Sequence, residues 1–500
     1  VRGAARWAIP VSACLILASC TANNGDPPVP ADDRTQYQAS RYMSRPDLAP
    51  PIVEVLTPPT DSDGLVFLTP RIHEQGEDDP DTGLLIVDRT GNPLWTMPHD
   101  DPDGDTYVND SDVQTYRGQP VLTYWEGTSP GIGWGEGTYR ILDSSYRHIA
   151  SVGTGNGHAA DFHDLVITPR DTALLTSYVQ EHRGRPFLSA IVQEIDIGTG
   201  AVLFEWNSLD HIDPSESMVP EPDDPEEHYD YFHINSVDED GDGNLLLSAR
   251  HTHALYKIDR STGDVLWRQG GPRSDFALDD DARFAWQHDA RWLPDGWISL
   301  LDNVSDDESA GRPSRALILE LDEQNRSART IRAFENPDPV TSATQANHQV
   351  LPNGHSFVGW GSVPTATEFG ADGSVLWHAS LPEGMYSYRA HLFDWTGTPS
   401  EPPAVVAHRD EAAESGPIEV AMSWNGATEV AAWRISSGPG SDGPTRITEV
   451  AATGFETVAT VPAESDPTDV ASPTFVTVEA LDEAGVVLGA SETVEASDAR

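Results

Sequence analysis

The stretch from Tyr229 to Asn303 decides the fold. It reads YDYFHINSVDEDGDGNLLLSARHTHALYKIDRSTGDVLWRQGG over residues 229–271 and, after a short connector, FAWQHDARWLPDGWISLLDN over residues 284–303. Short apolar runs alternate with Asp, Gly and Asn turns, which is the signature of strands joined by tight hairpins. The stretch holds one whole four-strand unit and half of the next. Each unit opens with a histidine at the start of an apolar strand, His233 in the first and His288 in the second.

Working outward, the same hairpin recurs. It is IVDRTGNPLW at Ile86, EIDIGTGAVLFEW at Glu194, KIDRSTGDVLW at Lys257 and EFGADGSVLW at Glu368. The turn glycines Gly91, Gly200, Gly263 and Gly373 are separated by one or two repeats of roughly 50 residues. Two degenerate copies therefore belong in the long gaps, YRILDSSYRHIASV at Tyr139 and LILELDEQNRSARTIRAF at Leu317. A second hairpin precedes the regular one at His163, His233, His288 and Asn347. Two hairpins make a four-stranded antiparallel blade, and radial repetition of blades is a β-propeller. The expected architecture is all-β: a six-bladed β-propeller over residues 50–400, then a fibronectin type III-like β-sandwich over 401–497. The first copy lacks a leading strand, and the late run Tyr386 to Phe393 is expected to supply it and close the ring.

Two irregular stretches interrupt the repeat. Leu209 to His228 is long, acidic and Pro-rich, and is a candidate lid. Arg273 to Trp286 makes a similar approach to His288. The D-x-D-x-D-G run from Asp238 to Gly243 resembles the start of a calcium loop. Ala249 stands where that loop needs its Glu, so a polar hairpin turn is expected instead, as for the DDPDGD run at Asp101.

Composition narrows the function. The 500 residues carry a formal charge of -51, with Lys257 the one lysine, which excludes a nucleic-acid or anionic-membrane surface. The two cysteines, Cys14 and Cys20, both lie in the first twenty residues, so the body has no disulfide chemistry. Arg2 and Arg6, an apolar run from Trp7 to Leu17, and Leu17-Ala18-Ser19-Cys20 resemble a bacterial lipoprotein signal over residues 1–20. Lipidated Cys20 would then anchor the exported protein to the outer face of the cell membrane, through a polar tether over 21–49. If the lipobox is not used, a periplasmic or extracellular location is expected.

The leading strands carry the chemistry. His163 and His288 each lie six residues before a proline, Pro169 and Pro294, and His233 opens the blade between them. Circular closure would bring such positions together at the axis. His348 is offset by two residues on its strand. Arg250 ends the second strand of the His233 blade, and Arg389 lies on the closing strand. A histidine-lined channel suits nucleophilic transfer, metal binding or anion capture. A non-catalytic surface propeller that binds a ligand or partner, or a histidine-ligated metalloprotein, are the alternative functions.

DYFHINSVDEDGDGNLLLSARH, RFAWQHDARWLPDGWISLLDN, LPNGHSFVGWG and YRAHLFDWTGTPSEPP closely resemble the arylsulfotransferase family. The resemblance covers roughly Ser44 to Pro403. It implies an extracytoplasmic propeller that moves a sulfuryl group from an aryl sulfate to a phenol, with no nucleotide donor and no cofactor or metal. It puts the sulfuryl acceptor on His288 of QHDARW. The helpers fall on His163 of FHDLVITP, His233 of YFHINSV and Arg250 of SARH. His348, Arg389, Trp286 and Tyr231 are expected to bind substrate, with Trp134 and Trp292 as further wall candidates.

Overall fold

The computed structural model describes residues 38–60, 63–72, 79–99, 106–131, 133–304, 312–338, 340–409, 417–440, 446–462 and 474–498. Cys20, the signal run, most of the tether and the Asp101 run lie outside the described residues. Among the described residues, no helix is long and apolar enough to cross a membrane.

Six antiparallel sheets follow one another along the chain. Their leading strands are Tyr386–Phe393, Thr106–Tyr116, Leu165–Ile167, Ile234–Glu239, His288–Trp292 and Asn347–Val350. Each leading strand packs against the next in this order, and the sixth packs against the first, so the strands form a closed circle. The closing strand pairs with Leu65–Arg71, as Phe67 opposite His391 and Val66 opposite Leu392. The last strand of the chain's repeat region thus completes the first sheet.

Six separate apolar cores fill the six gaps between neighbouring sheets, which is why the circle holds. Trp206 and Phe232 fill the gap between sheets three and four, for example. Val66, Leu85, Phe357 and Trp377 join sheet six back to sheet one. The recurrent hairpin also staples neighbours. Trp206 donates its indole N–H to Gly263 O at 3.1 Å, and Trp377 donates to Arg89 O at 2.8 Å. In both cases the outer-strand tryptophan reaches the hairpin turn of the following sheet. A buried tryptophan that finds a partner for its N–H adds direction to a large apolar contact.

Local details follow the sequence closely. Gly91, Gly200, Gly263 and Gly373 all take positive φ, as those turns require. The Asp240 side chain accepts from the backbone N–H groups of Asp242 and Asn244 and pairs with Lys257 at 3.0 Å. That run is a hairpin turn. The second sheet has a long leading hairpin, Thr106–Tyr116 and Gln119–Gly131, that no histidine opens in the sequence. In the Arg273 to Trp286 stretch, Ala277–Leu278 runs parallel to Ser327–Ala328 at the outer edge of sheet five.

The described strands between Ala404 and Asp498 form two further, mainly antiparallel sheets around Val420, Met422, Trp433, Ile435, Val476 and Val478. Asn425 holds this unit to the first sheet by reciprocal hydrogen bonds with the Thr96 backbone, both 2.9 Å. Tyr146 adds a bond to Gly426 O at 2.9 Å.

Candidate active site

The inner strands begin with unusual backbone. Asp110, His233, Trp286, Asp289, Gln345 and Ala346 all have φ between +51° and +86°, a left-handed conformation that non-glycine residues avoid. Such strain costs on the order of 1–3 kcal/mol per residue and persists only where the surroundings impose it. Here the surroundings are two layers. In several sheets one residue faces a cavity at one end of the ring and the next turns into a buried knot of charge. The pairs are Asn109 and Asp110, His163 and Asp164, His288 and Asp289, and Tyr388 and Arg389.

In the knot, Arg389 donates to Asp110 at 2.7 Å, to Asp164 at 3.0 Å and to Asn235 O at 3.3 Å. Arg291 donates to Asp164 at 2.7 Å and to Asp289 at 2.8 Å. Asp289 in turn accepts from the His348 backbone N–H at 3.0 Å. Two guanidiniums thus face three carboxylates. Burial first, and the neighbouring Asp164 charge after it, push Asp110 up to about 7 against Arg389, while Arg291 and Arg389 hold Asp289 well below the usual range against its own burial.

Above the knot lies a cavity of about 800 Å³ that His163, His233, Arg250, His251 and His288 all line. The three leading-strand histidines are only 2%, 8% and 3% exposed, so their rings are held away from bulk water. His163 and His233 meet edge to face, with ring centroids 5.3 Å apart. Each ring has its Nδ1 fixed. His163 Nδ1 donates to Asp161 at 2.5 Å, and His233 Nδ1 donates to Asp230 at 2.5 Å. His288 Nδ1 donates to Asn303 Oδ1 at 2.7 Å. The Asn303 amide orientation is unambiguous, because its Nδ2 donates to the carbonyls of Ser342 and Gln345. With Nδ1 protonated, a neutral His288 ring keeps its lone pair on Nε2. Burial first, and the Arg250 charge second, hold the His288 pKa well below its ordinary value, so at neutral pH the ring is an uncharged base.

Arg250 faces the same space with no carboxylate at ion-pair distance among the described residues. Its guanidinium lies 4.4 Å from the Trp286 ring centroid and donates to His251 Nε2 at 3.0 Å. His251 Nδ1 donates to Asp230 O. Burial lowers the Arg250 pKa to about 10, which leaves it charged at neutral pH. A buried cation without a protein anion is a site for a ligand anion.

Asp230, His233 and His251 are the residues close enough together to hold a metal ion among those described. Their facing atoms already bond to one another or to the Asp230 backbone, and Arg250 is bonded to the far side of the His251 ring. The donor set is that of a hydrogen-bond relay beside a cation.

The stretch from Leu209 to His228 does border the cavity, through Val219, Pro220, Pro222, Glu227 and His228. It is pinned by Met218 N–H to His251 O at 2.7 Å and by Tyr229 Oη to Val219 O at 2.7 Å. Four expected substrate binders lie elsewhere. His348 is fully buried between sheets, bonded to Leu317 O at 3.0 Å and Ser356 Oγ at 2.9 Å, because its two-residue offset points it below the cavity. Arg389 is the hub of the charge knot. Tyr231 is buried behind the wall against Phe187 and Tyr229. Trp286 does not line the cavity but supports Arg250 from beneath. Trp292 is also off the cavity, near Lys257, whereas Trp134 does line it. Residues absent from the sequence reading are Asp161, Asp230, Asn303 and Gly133, while His251 enters it only as a neighbour of Arg250. Asp161 and Asp230 carried a signal, standing two and three positions before their histidines.

Comparisons with known proteins agree with this picture at the family level. A family model described as arylsulfotransferase (ASST) matches residues 112–381. No curated protein matches the chain. Among solved structures, a Bacteroides caccae protein of unknown function is similar at 14% identity and TM-score 0.41, covering 66% of this chain and 99% of that one. Virginiamycin B lyase from Staphylococcus aureus is similar at 10% identity and TM-score 0.33, over 65% and 87% of the two chains. The Dos1 propeller is similar at 12% identity and TM-score 0.30, over 63% and 77%.

Proposed function

The chain belongs to the arylsulfotransferase (ASST) family, and on that premise we propose that it transfers a sulfuryl group from an aryl sulfate to a phenol by way of His288. The observation that carries this reading is that a neutral, Nδ1-anchored His288 shares the cavity with Arg250, a buried cation that has no carboxylate partner among the described residues. In the first half-reaction the Nε2 lone pair forms a bond to sulfur. The sulfur–oxygen bond to the aryl group breaks, and its electrons leave on the phenolate. The phenolate takes a proton from an imidazolium, and His163, backed by the Asp161 carboxylate, is the carrier. In the second half the acceptor phenol returns a proton to that imidazole as its oxygen bonds to sulfur and the nitrogen–sulfur bond breaks. Arg250 and the His233 edge balance charge on the sulfuryl oxygens.

His288 is the fit nucleophile because its partner differs. Asn303 orients the ring without bringing a negative charge to it, so the sulfo-imidazolium keeps its positive charge and stays a good donor. The ring of six sheets is read as a six-bladed β-propeller over 50–400, and the two-sheet unit over 401–497 as a fibronectin type III-like sandwich. The lipobox-like run supports export and anchoring through Cys20, which palmitate labelling of wild type and Cys20→Ser in a bacterial host would test. For the chemistry, wild-type protein is mixed with a chromogenic aryl sulfate in the absence of acceptor. A burst of phenol equal to the enzyme, with a sulfo adduct on the His288 peptide, is expected. No burst, or an adduct that persists in His288→Ala, sinks the reading.

A further inference from the structure

The transfer reading uses one cation of the cavity, Arg250, and leaves another unexplained. Arg71 ends the strand Leu65–Arg71 of sheet one and lines the same cavity. Arg250 belongs to sheet four. In a closed ring of six sheets, one and four stand opposite each other, so the two guanidiniums face the cavity from opposite walls. We propose that Arg71 is the centre of a second anion subsite, which selects phenolic substrates carrying a carboxylate remote from the reacting hydroxyl. This rests on the transfer reading above.

Arg71 is held in an unusual way for a half-buried cation on so acidic a protein. Its guanidinium lies 3.7 Å from the Tyr107 ring centroid and 5.5 Å from that of Tyr386. Among the described residues no carboxylate lies within ion-pair distance of it. Ring contacts occupy the faces of a guanidinium and leave its N–H edge, whose planar fork matches a carboxylate. The wall between this cation and the reacting centre is aromatic. Tyr107 packs on Phe162 at 6.1 Å, and Phe162 stacks on His163 at 4.5 Å. A flat aryl group lying along that wall would present its ester or hydroxyl oxygen to His288 and Arg250, and its far end to Arg71. The carboxylates that line the cavity do not oppose this, since Asp230 is bonded to His233 and Glu227 is on the exposed strap. A phenol without a second charge would leave the Arg71 edge to water.

The test compares acceptors. Phenol, 4-hydroxybenzoate and 4-hydroxycinnamate are each given to the sulfated enzyme, for wild type, Arg71→Gln and Arg71→Lys, and kcat/KM is measured for each. Wild type is expected to prefer at least one carboxylated phenol by about tenfold, the size of one partly screened charge-assisted contact. Arg71→Gln should bring the ratio to near unity, and Arg71→Lys should keep part of it. A ratio that is the same in wild type and Arg71→Gln overturns the subsite. Should wild type transfer to none of the three, calorimetric titration with 4-hydroxycinnamate still decides. Binding weakened about tenfold in Arg71→Gln supports the subsite on its own, and equal binding, or none to wild type, overturns it.

Discussion

Gly133 offers a test of how tightly the cavity positions its histidines. Gly133 has φ +80°, and a Cβ added there would lie 2.9 Å from His233 Cε1. Ordinary carbon contacts begin near 3.4 Å, so in Gly133→Ala the ring must withdraw by about half an ångström. It has little room, with the His251 ring 4.5 Å behind it and Asp230 gripping Nδ1. If a displacement of about 1 Å costs roughly a hundredfold in rate, half of that costs about tenfold. The left-handed backbone adds about 1 kcal/mol to the cost of folding Ala at this position, or about 2 °C in Tm. The assay is kcat/KM with a chromogenic aryl sulfate and phenol, on wild type, Gly133→Ala, His233→Ala and the double variant. If Gly133 acts through the imidazole, the tenfold penalty should vanish once His233 is gone. The same loss in the His233→Ala background, or no loss at all, would refute the reasoning.

Other expectations can be checked alongside it. Asp161→Asn removes the carboxylate behind His163 and should lower kcat by roughly 10²–10⁴-fold with little change in melting temperature, by analogy with other oriented imidazoles. Burst rates in the donor half-reaction should hold as the pH is lowered from neutral towards pH 6.5. Because His288 is neutral in the folded protein, protonation removes its lone pair only below its depressed pKa, so the acid limb should lie under pH 6.5. Discharge of Arg250 near pH 10 should remove a further part of the rate, a loss that Arg250→Met should not show. Arg389→Met leaves buried carboxylates without their cation and should lower urea-measured stability by about 3–5 kcal/mol. Dialysis against a chelator should leave the transfer rate unchanged, because the Asp230, His233 and His251 atoms are engaged with one another. A stoichiometric metal lost together with activity would contradict that assignment.

How much the sequence reveals depends on whether a contact is local. Strands, hairpin turns and the late closing strand are legible because alternation and positive-φ glycines are encoded within a few residues. The convergence of His163, His233 and His288 is legible because the repeat places them in one register. What escapes is the choice between neighbours on the same inner strand. In His163-Asp164 and His288-Asp289 the histidine looks up into the cavity and the aspartate turns into the charge knot, and nothing in the dipeptide announces the division. Arg389 reads as an anion binder until Asp110, Asp164 and Asp289, from three other sheets, are seen to surround it. His348 shows the same limit. A two-residue shift keeps a residue on its face of the strand but moves it about 6.6 Å along the axis. That is enough to carry the ring from the cavity to the apolar seam between sheets, leaving Gln345 to line the cavity for sheet six. The distinction between the three catalytic candidates is equally non-local. Two of them take a carboxylate from the turn just before, whereas His288 takes an amide from Asn303 at the end of the next strand. The proposed nucleophile is therefore set apart by a cross-strand partner, and His288→Asn or Asn303→Leu should separate reaction at sulfur from the proton transfers proposed for His163 and Asp161.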